Sequence, residues 1–218
     1  MSLRVGVLVS GEGSNLQALI DTVHAEGAVE IVCVGSNNPE AYGLERAREA
    51  GIERGVFAIS DYDSREERDA ALGDWLEGHR VELVVLAGFM ELLGPELVRR
   101  LHGRIVNVHP SLLPAFPGVR AIEQALEYGV RLMGVTVHFV DEGVDSGPIL
   151  MQEAFDPVPY SRDIAALEGR VHEIEHRLLP QAVRLIAEGR VRIDHANPRR
   201  VEIDDVRASP SGESDGDH

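Results

Sequence analysis

Lysine is absent from this 218-residue chain, whose 21 basic side chains are all arginine. That excludes Schiff-base chemistry, which needs an ε-amine, and it removes the lysine on which a Walker-type phosphate loop depends. Cysteine occurs once, as Cys33 in the apolar run Ile31-Val32-Cys33-Val34. The chain can therefore form no internal disulfide and no cysteine-rich zinc site, and Cys33 reads as a small buried hydrophobe. Aromatic residues make up only 5% of the chain, and no apolar run approaches the ~20 residues that cross a bilayer. Positive charge is also scarce, since 37 acidic residues set the formal charge at -16. Nucleic acids are bound by positive faces that displace counterions, so they are excluded as expected partners. Any catalysis must come from histidine, carboxylates, amides or backbone groups.

What is present suits one α/β domain, for which up to roughly 250 residues is ordinary. The start, Met1-Ser2-Leu3-Arg4-Val5, runs into a strand-like stretch without the features of a secretory signal, so a cytoplasmic location without membrane association is expected. Short apolar runs then alternate with helix-period segments, the pattern of βαβ units. The expected fold is a mostly parallel, doubly wound, Rossmann-like sheet with helices on both faces.

Leu3 to Val9 reads as a central strand buried on both faces. Asn15 to Ala25 is helical, Ile31 to Val34 a strand, Tyr42 to Ala50 a helix, and the region near Val56 to Ile59 a strand. Ser64 with Glu67 forms a capping box for a helix that ends before Val81. Strands follow at Glu82 to Ala87 and Arg104 to Val108, with a short helix around Pro95 to Leu101 between them. A helix from Val119 through Tyr128 precedes Leu132 to Val140, where Val135, Val137 and Phe139 alternate with Thr136 and His138 as in a half-buried strand. Ile149 to Phe155 is placed beside it. Ser161 to Gly189 reads as one long helix with a single apolar stripe, bent at Pro180. Val191 to Ile203 suits a small hairpin. The domain is set at 1–203, and the acidic segment 204–218 is too polar to offset its ordering entropy, so it is expected to be a disordered tail.

Three strand ends carry residues that suit chemistry. Gly11-Glu12-Gly13-Ser14-Asn15-Leu16 lies at the first strand-to-helix turn, where free N–H groups and the helix dipole favour an anion. Its spacing is not the dinucleotide fingerprint, because Leu16 stands where a third glycine would. Asn107 and His109 share one side of a strand end, and Pro110 stops the ladder after them. An amide donor beside an imidazole can stabilise an oxyanion and manage protons near neutral pH. Asp145, in the turn-rich Asp141-Glu142-Gly143-Val144-Asp145-Ser146-Gly147-Pro148, is the kind of carboxylate that orients a catalytic imidazole.

Taken with Gly43-Leu44-Glu45-Arg46-Ala47, Leu86-Ala87-Gly88-Phe89-Met90, Asn107 to Pro114 and Val137-His138-Phe139-Val140, these segments resemble the glycinamide ribonucleotide formyltransferase family of purine biosynthesis, over about Arg4 to Pro180. The resemblance implies transfer of a formyl group from 10-formyltetrahydrofolate, as co-substrate and without a metal, to the amine of glycinamide ribonucleotide. It implies catalytic roles for Asn107, His109 and Asp145, and substrate binding by Gly13, Ser14, Asn15 and Glu175, the last at the glycyl end. It implies folate contacts by Arg65, Met90, Glu91, Leu92, Leu93, Asn107 and Val140, with Leu86, Val98 and Ile105 as further pterin walls. Glu91 departs from the arginine of some members, and a carboxylate facing the dianionic glutamyl tail of folate would repel it.

Other readings of the residues remain. Formyltetrahydrofolate deformylase shares the three catalytic residues but adds an N-terminal domain. Methionyl-tRNA formyltransferase adds a C-terminal one. A non-catalytic nucleotide-binding module would not need all three residues together. The sequence leaves the assembly open between monomer and homodimer.

Overall fold

The computed structural model describes residues 2–160, 163–194 and 196–204. Seven strands form one sheet: β1 (Leu3–Val9), β2 (Val29–Ser36), β3 (Glu53–Val56), β4 (Leu83–Leu86), β5 (Ile105–His109), β6 (Met133–Phe139) and β7 (Ile149–Phe155). Their order is β3-β2-β1-β4-β5-β6-β7. The first five run parallel, while β6 and β7 are antiparallel additions at one edge. Strand order reverses between β1 and β4, the switch point at which open α/β sheets bind ligands. The expected mostly parallel, doubly wound sheet is the observed one.

Pleating divides β1 between two cores. Val5, Val7 and Val9 join the layer of α1 (Ser14–Leu19), α2 (Tyr42–Glu49), α5 (Ala121–Tyr128) and α6 (Ile164–Ala187). Leu8 joins the opposite layer under α3 (Arg65–Gly78) and α4 (Pro95–Arg100). Gly6 faces that second layer without a side chain because a Cβ there would lie 2.9 Å from Leu76 Cδ2. The α3 start follows the capping logic: Ser64 Oγ accepts from Glu67 N at 3.1 Å, and Glu67 Oε2 accepts from Asp63 N at 3.0 Å. Pro180 lies buried inside the 24-residue α6.

Three local expectations change. The first helix is α-helical only over Ser14–Leu19 and widens to a π-helical turn over Ile20–His24, where Ala25 N reaches back to Ile20 O. Thr22 Oγ1 donates to Ala18 O at 2.5 Å, competing with the backbone for that carbonyl. Strand β3 occupies Glu53–Val56 rather than 56–59. It is an edge strand with little buried surface, carrying the charged Glu53 and Arg54 and an exposed Val56, and the apolar Phe57 beyond it packs on Trp75. Strand β6 is buried at all seven positions rather than half-buried. Its polar residues face protein, not water: Thr136 Oγ1 donates to Ser111 O at 2.7 Å and accepts from Leu113 N at 3.1 Å. The half-exposed pattern belongs to β7, the true edge.

The expected hairpin forms from β8 (Val191–Ile193) and β9 (Val201–Ile203). Of the expected acidic tail 204–218, Asp204 is tied to Arg190 through its backbone N–H and carbonyl, and the rest lies outside the described residues. Among the described residues no helix is long and apolar enough to cross a membrane.

Candidate active site

The carboxyl ends of β1, β4 and β5 open onto one side of the sheet, and each delivers a different chemical group there. Beyond β1, the turn 10–13 places Gly13 at φ +72° as the N-cap of α1. Glycine is required twice over: the left-handed conformation is costly for other residues, and a Cβ would lie 2.6 Å from Gly43 Cα. Gly43 N in turn donates to Gly11 O at 3.0 Å. The first-turn amides of α1 have no acceptor within the helix and face a hollow of about 430 Å³.

That hollow is lined by Ser10 to Asn15 and, from α6, by Val171, His172 and Glu175. Asn15 Nδ2 donates to Glu175 Oε2 at 2.9 Å, while Asn15 Oδ1 is buried without a partner. Burial raises the Glu175 carboxyl above its ordinary range, against the opposing pull of the Asn15 hydrogen bond and of His172.

Beyond β5 lie the groups suited to acyl chemistry. Asp145 is held in the left-handed region at φ +48°, and the loop before it is braced where Asp141 Oδ1 accepts from Gly143 N at 3.0 Å and from Ser146 Oγ at 2.6 Å. Its Oδ2 accepts from Gly118 N at 2.7 Å and lies 3.4 Å from His109 Nδ1. Its Oδ1 lies 3.4 Å from Asn107 Nδ2, which donates to it, and 3.5 Å from His138 Nε2. The other His109 nitrogen, Nε2, is 2.9 Å from Phe116 O. Both ring nitrogens of His109 thus face acceptors, an arrangement that a doubly protonated imidazolium satisfies. Burial by itself would raise the Asp145 carboxyl, but the His138 hydrogen bond, the Gly118 N–H and the charges of His109 and His138 outweigh it and hold the group below its ordinary value.

Sequence reasoning missed His138. It sits directly opposite Asn107 in the antiparallel β5–β6 ladder, is buried, and has Nδ1 donating to Phe139 O at 2.8 Å. Its polar alternation with Val137 and Phe139 resembled a solvent-facing strand, and only the register to Asn107 identifies it.

Asn107, His109 and Asp145 line a passage of about 230 Å³, with Met90, Glu91 and Leu92 on its other side. The passage shares Met90 and Pro110 with the anion-facing hollow. It shares Asn107, Glu91, Leu92 and Asp145 with a cleft of about 120 Å³ walled by Leu86, Phe89, Leu93, Val98 and Val140. Two expected residues lie elsewhere. Ile105 is a core residue beneath the cleft and lines no part of it. Arg65 lines a separate hollow with Glu66, Asp69, Pro95 and Arg99, because the start of α3 faces α4 and not the strand ends. Among the described residues no three or more His, Cys, Asp or Glu side chains are arranged to hold a metal ion.

Comparison with known proteins agrees with this geometry. The formyl transferase family profile matches residues 3–183. The phosphoribosylglycinamide formyltransferase of Escherichia coli is 41% identical over 213 residues, covering 96% of this chain and 98% of that protein. The trifunctional purine biosynthetic protein adenosine-3 of Drosophila pseudoobscura pseudoobscura is 49% identical over 192 residues, and the matched region spans 87% of this chain but only 14% of that much longer protein. The crystal structure of glycinamide ribonucleotide transformylase 1 from Symbiobacterium toebii superposes with a TM-score of 0.88 at 47% identity, covering 94% of this chain and 95% of the other. With its sheet, its glycine turn and its Asn107–His109–Asp145 cluster, the chain belongs to the phosphoribosylglycinamide formyltransferase family of formyl transferases.

Proposed function

We propose that the chain transfers the formyl group of 10-formyltetrahydrofolate to the glycyl amine of glycinamide ribonucleotide, a step of purine biosynthesis. The observation that carries this reading is the position of Asn107, His109 and Asp145 in a passage that lies between an anion-facing hollow and a cleft walled on part of its surface by Leu86, Leu93, Val98 and Val140. A phosphorylated amine on one side and a pterin on the other would meet at these three side chains.

In this reading Gly13, Ser14 and Asn15 hold the substrate phosphate through the first-turn amides of α1, and Glu175 receives the polar end of the ribonucleotide. Leu86, Val98 and Val140 enclose the pterin, with the Met90 to Leu93 segment and Asn107 along its edge. The neutral amine attacks the formyl carbon, the new C–N bond forms, and the carbonyl electron pair moves onto oxygen. Asn107 Nδ2, turning from Asp145 and His138, and the His109 imidazolium, whose Nε2–H leaves Phe116 O, stabilise that oxyanion, an effect of ~3 kcal/mol per donor. The Asp145 carboxylate pairs with the imidazolium and positions a water that carries the amine proton to N10 of the folate. The C–N10 bond then breaks and tetrahydrofolate leaves. The separations of 3.3 to 3.5 Å among Asn107, His138 and Asp145 are the loose contacts expected before substrate closes the site.

The reading treats residues 1–203 as one catalytic domain, with monomer or homodimer as the assembly and the cytoplasm as its location. Its test is release of tetrahydrofolate from 10-formyltetrahydrofolate, followed with and without glycinamide ribonucleotide. Release that requires the ribonucleotide is the expected result. Release at the same rate without it would assign the chain a hydrolytic role instead.

A further inference from the structure

The loop 88–94 lies between the anion-facing hollow and the cleft walled by Leu86, Leu93, Val98 and Val140, and one continuous polar chain fixes it. Ser10 Oγ, in the glycine turn, accepts from Met90 N at 2.7 Å and donates to Asn37 Oδ1 at 2.6 Å. Asn37 Nδ2 donates to Glu91 Oε1 at 2.9 Å, and Arg68 Nη1 donates to Glu91 Oε2 at 2.6 Å. Arg68, from α3, has no exposed surface, and its Nε lies 2.6 Å from Asp69 Oδ1. The chain closes where Asp69 Oδ2 accepts from Gly94 N at 2.6 Å. A Cβ on Gly94 would stand 2.7 Å from that same oxygen, so the approach requires glycine. The loop is therefore tied at Met90, Glu91 and Gly94 to the ends of β1 and β2 and to α3.

This geometry inverts the expectation for Glu91. Its two oxygens are engaged by Asn37 and by a buried guanidinium, so the carboxylate is held in place by protein donors even though the side chain keeps 30% exposure and lines the passage and the cleft. Without Glu91 the guanidinium keeps Asp69 as its counter-charge, but Nη1 joins Nε and Nη2 as a buried donor without a hydrogen-bond partner, a cost that the surrounding loop relieves by opening to water. We propose that Glu91 is a positioning residue for the formyl donor: clamped between Asn37 and Arg68, it sets the course of loop 88–94, and with it the walls that Leu92 and Leu93 give the pterin cleft. Because Ser10 belongs to both this chain and the glycine turn, the partition keeps one position relative to both hollows.

The kinetic part of the test rests on the formyl-transfer reading, and the exchange part does not. Glu91→Ala in the full chain is expected to raise KM for 10-formyltetrahydrofolate about tenfold while KM for glycinamide ribonucleotide stays within about twofold. Amide hydrogen exchange across residues 88–94 is expected to accelerate about tenfold or more. Glu91→Gln, which keeps an acceptor for Asn37 but loses the charge beside Arg68, falls between wild type and Glu91→Ala and serves if the alanine variant does not fold. A carboxylate facing the folate tail would give the opposite sign, since neutralising it would lower KM for the donor, and that result overturns the proposal. Unchanged donor KM and exchange also overturn it, as does a fall in kcat with both KM values unmoved. If the wild type transfers no formyl group, the functional reading fails, and the exchange comparison still decides whether Glu91 holds the loop.

Discussion

Replacing Asp145 by asparagine removes one charge and almost nothing else. The position has φ +48°, and asparagine is among the few residues besides glycine that tolerate this region, so the loop should keep its course. The amide oxygen can still accept from Gly118 N, which now lies 2.7 Å from Oδ2. What disappears is the attraction between the carboxylate and the imidazolium of His109, whose Nδ1 is 3.4 Å away. At an effective dielectric constant of about 20, that attraction is about 5 kcal/mol. Water entering the passage and the residual dipole of the amide should recover about half, leaving a loss of about 2.5 kcal/mol, or roughly seventyfold in rate. Single-turnover release of tetrahydrofolate measures this step, and KM for the ribonucleotide should change little because Asp145 lines no part of its hollow. Turnover within about threefold of wild type would refute the assigned role. The stability effect has a definite sign. The Asp145 carboxyl sits below its ordinary range in the folded state, so its contribution is present above about pH 4 and is lost as pH falls through the folded value. The stability gap between wild type and Asp145→Asn should therefore narrow in acid.

Three further outcomes follow from the same contacts. Glu175→Gln should raise the melting temperature at neutral pH by a few degrees, about 1 kcal/mol, because it removes a buried charge and supplies an N–H for the unpartnered Asn15 Oδ1. Since burial raises the Glu175 carboxyl, the cost of its charge is present at neutral pH and absent in acid, so thermal melts should show the advantage vanishing there while KM for the ribonucleotide rises. Gly13→Ala should cost about 1–2 kcal/mol for the left-handed backbone alone, with more from the contact 2.6 Å from Gly43 Cα; calorimetry and a raised ribonucleotide KM would register it. His138→Leu should lower kcat about tenfold, less than Asp145→Asn, because Asp145 keeps its bond to Gly118 and its contact with His109. A loss as large as that of Asp145→Asn would make His138 an equal partner in the chemistry.

The parts of this molecule that can be read from the chain alone are those set by local pattern. Continuous β-branched runs between helix-period segments specify buried parallel strands, and β1, β4 and β5 fall where that pattern puts them. The turn at Gly13 and the strand end carrying Asn107 and His109 are visible because glycine and proline punctuate them. What escapes is decided by pairing between distant segments. His138 joins the cluster only through the register that sets it opposite Asn107. Arg68 reads as one more charged residue in a helix rich in them, yet it is wholly buried because Asp69 and Glu91 meet it from two sides. Glu91 reads as a repulsive carboxylate until its partner is known. Arg65, three residues before Arg68 at the exposed start of the helix, lines a different hollow.

In the proposed mechanism one carbon moves directly between two bound molecules at Asn107, His109 and Asp145. Donor labelled with carbon-13 in its formyl group, mixed with glycinamide ribonucleotide and the wild-type chain, places that claim in a single NMR spectrum. Label appearing on the glycyl nitrogen, at a rate abolished by His109→Ala, is the predicted result. Label appearing as free formate in the presence of saturating ribonucleotide would contradict it.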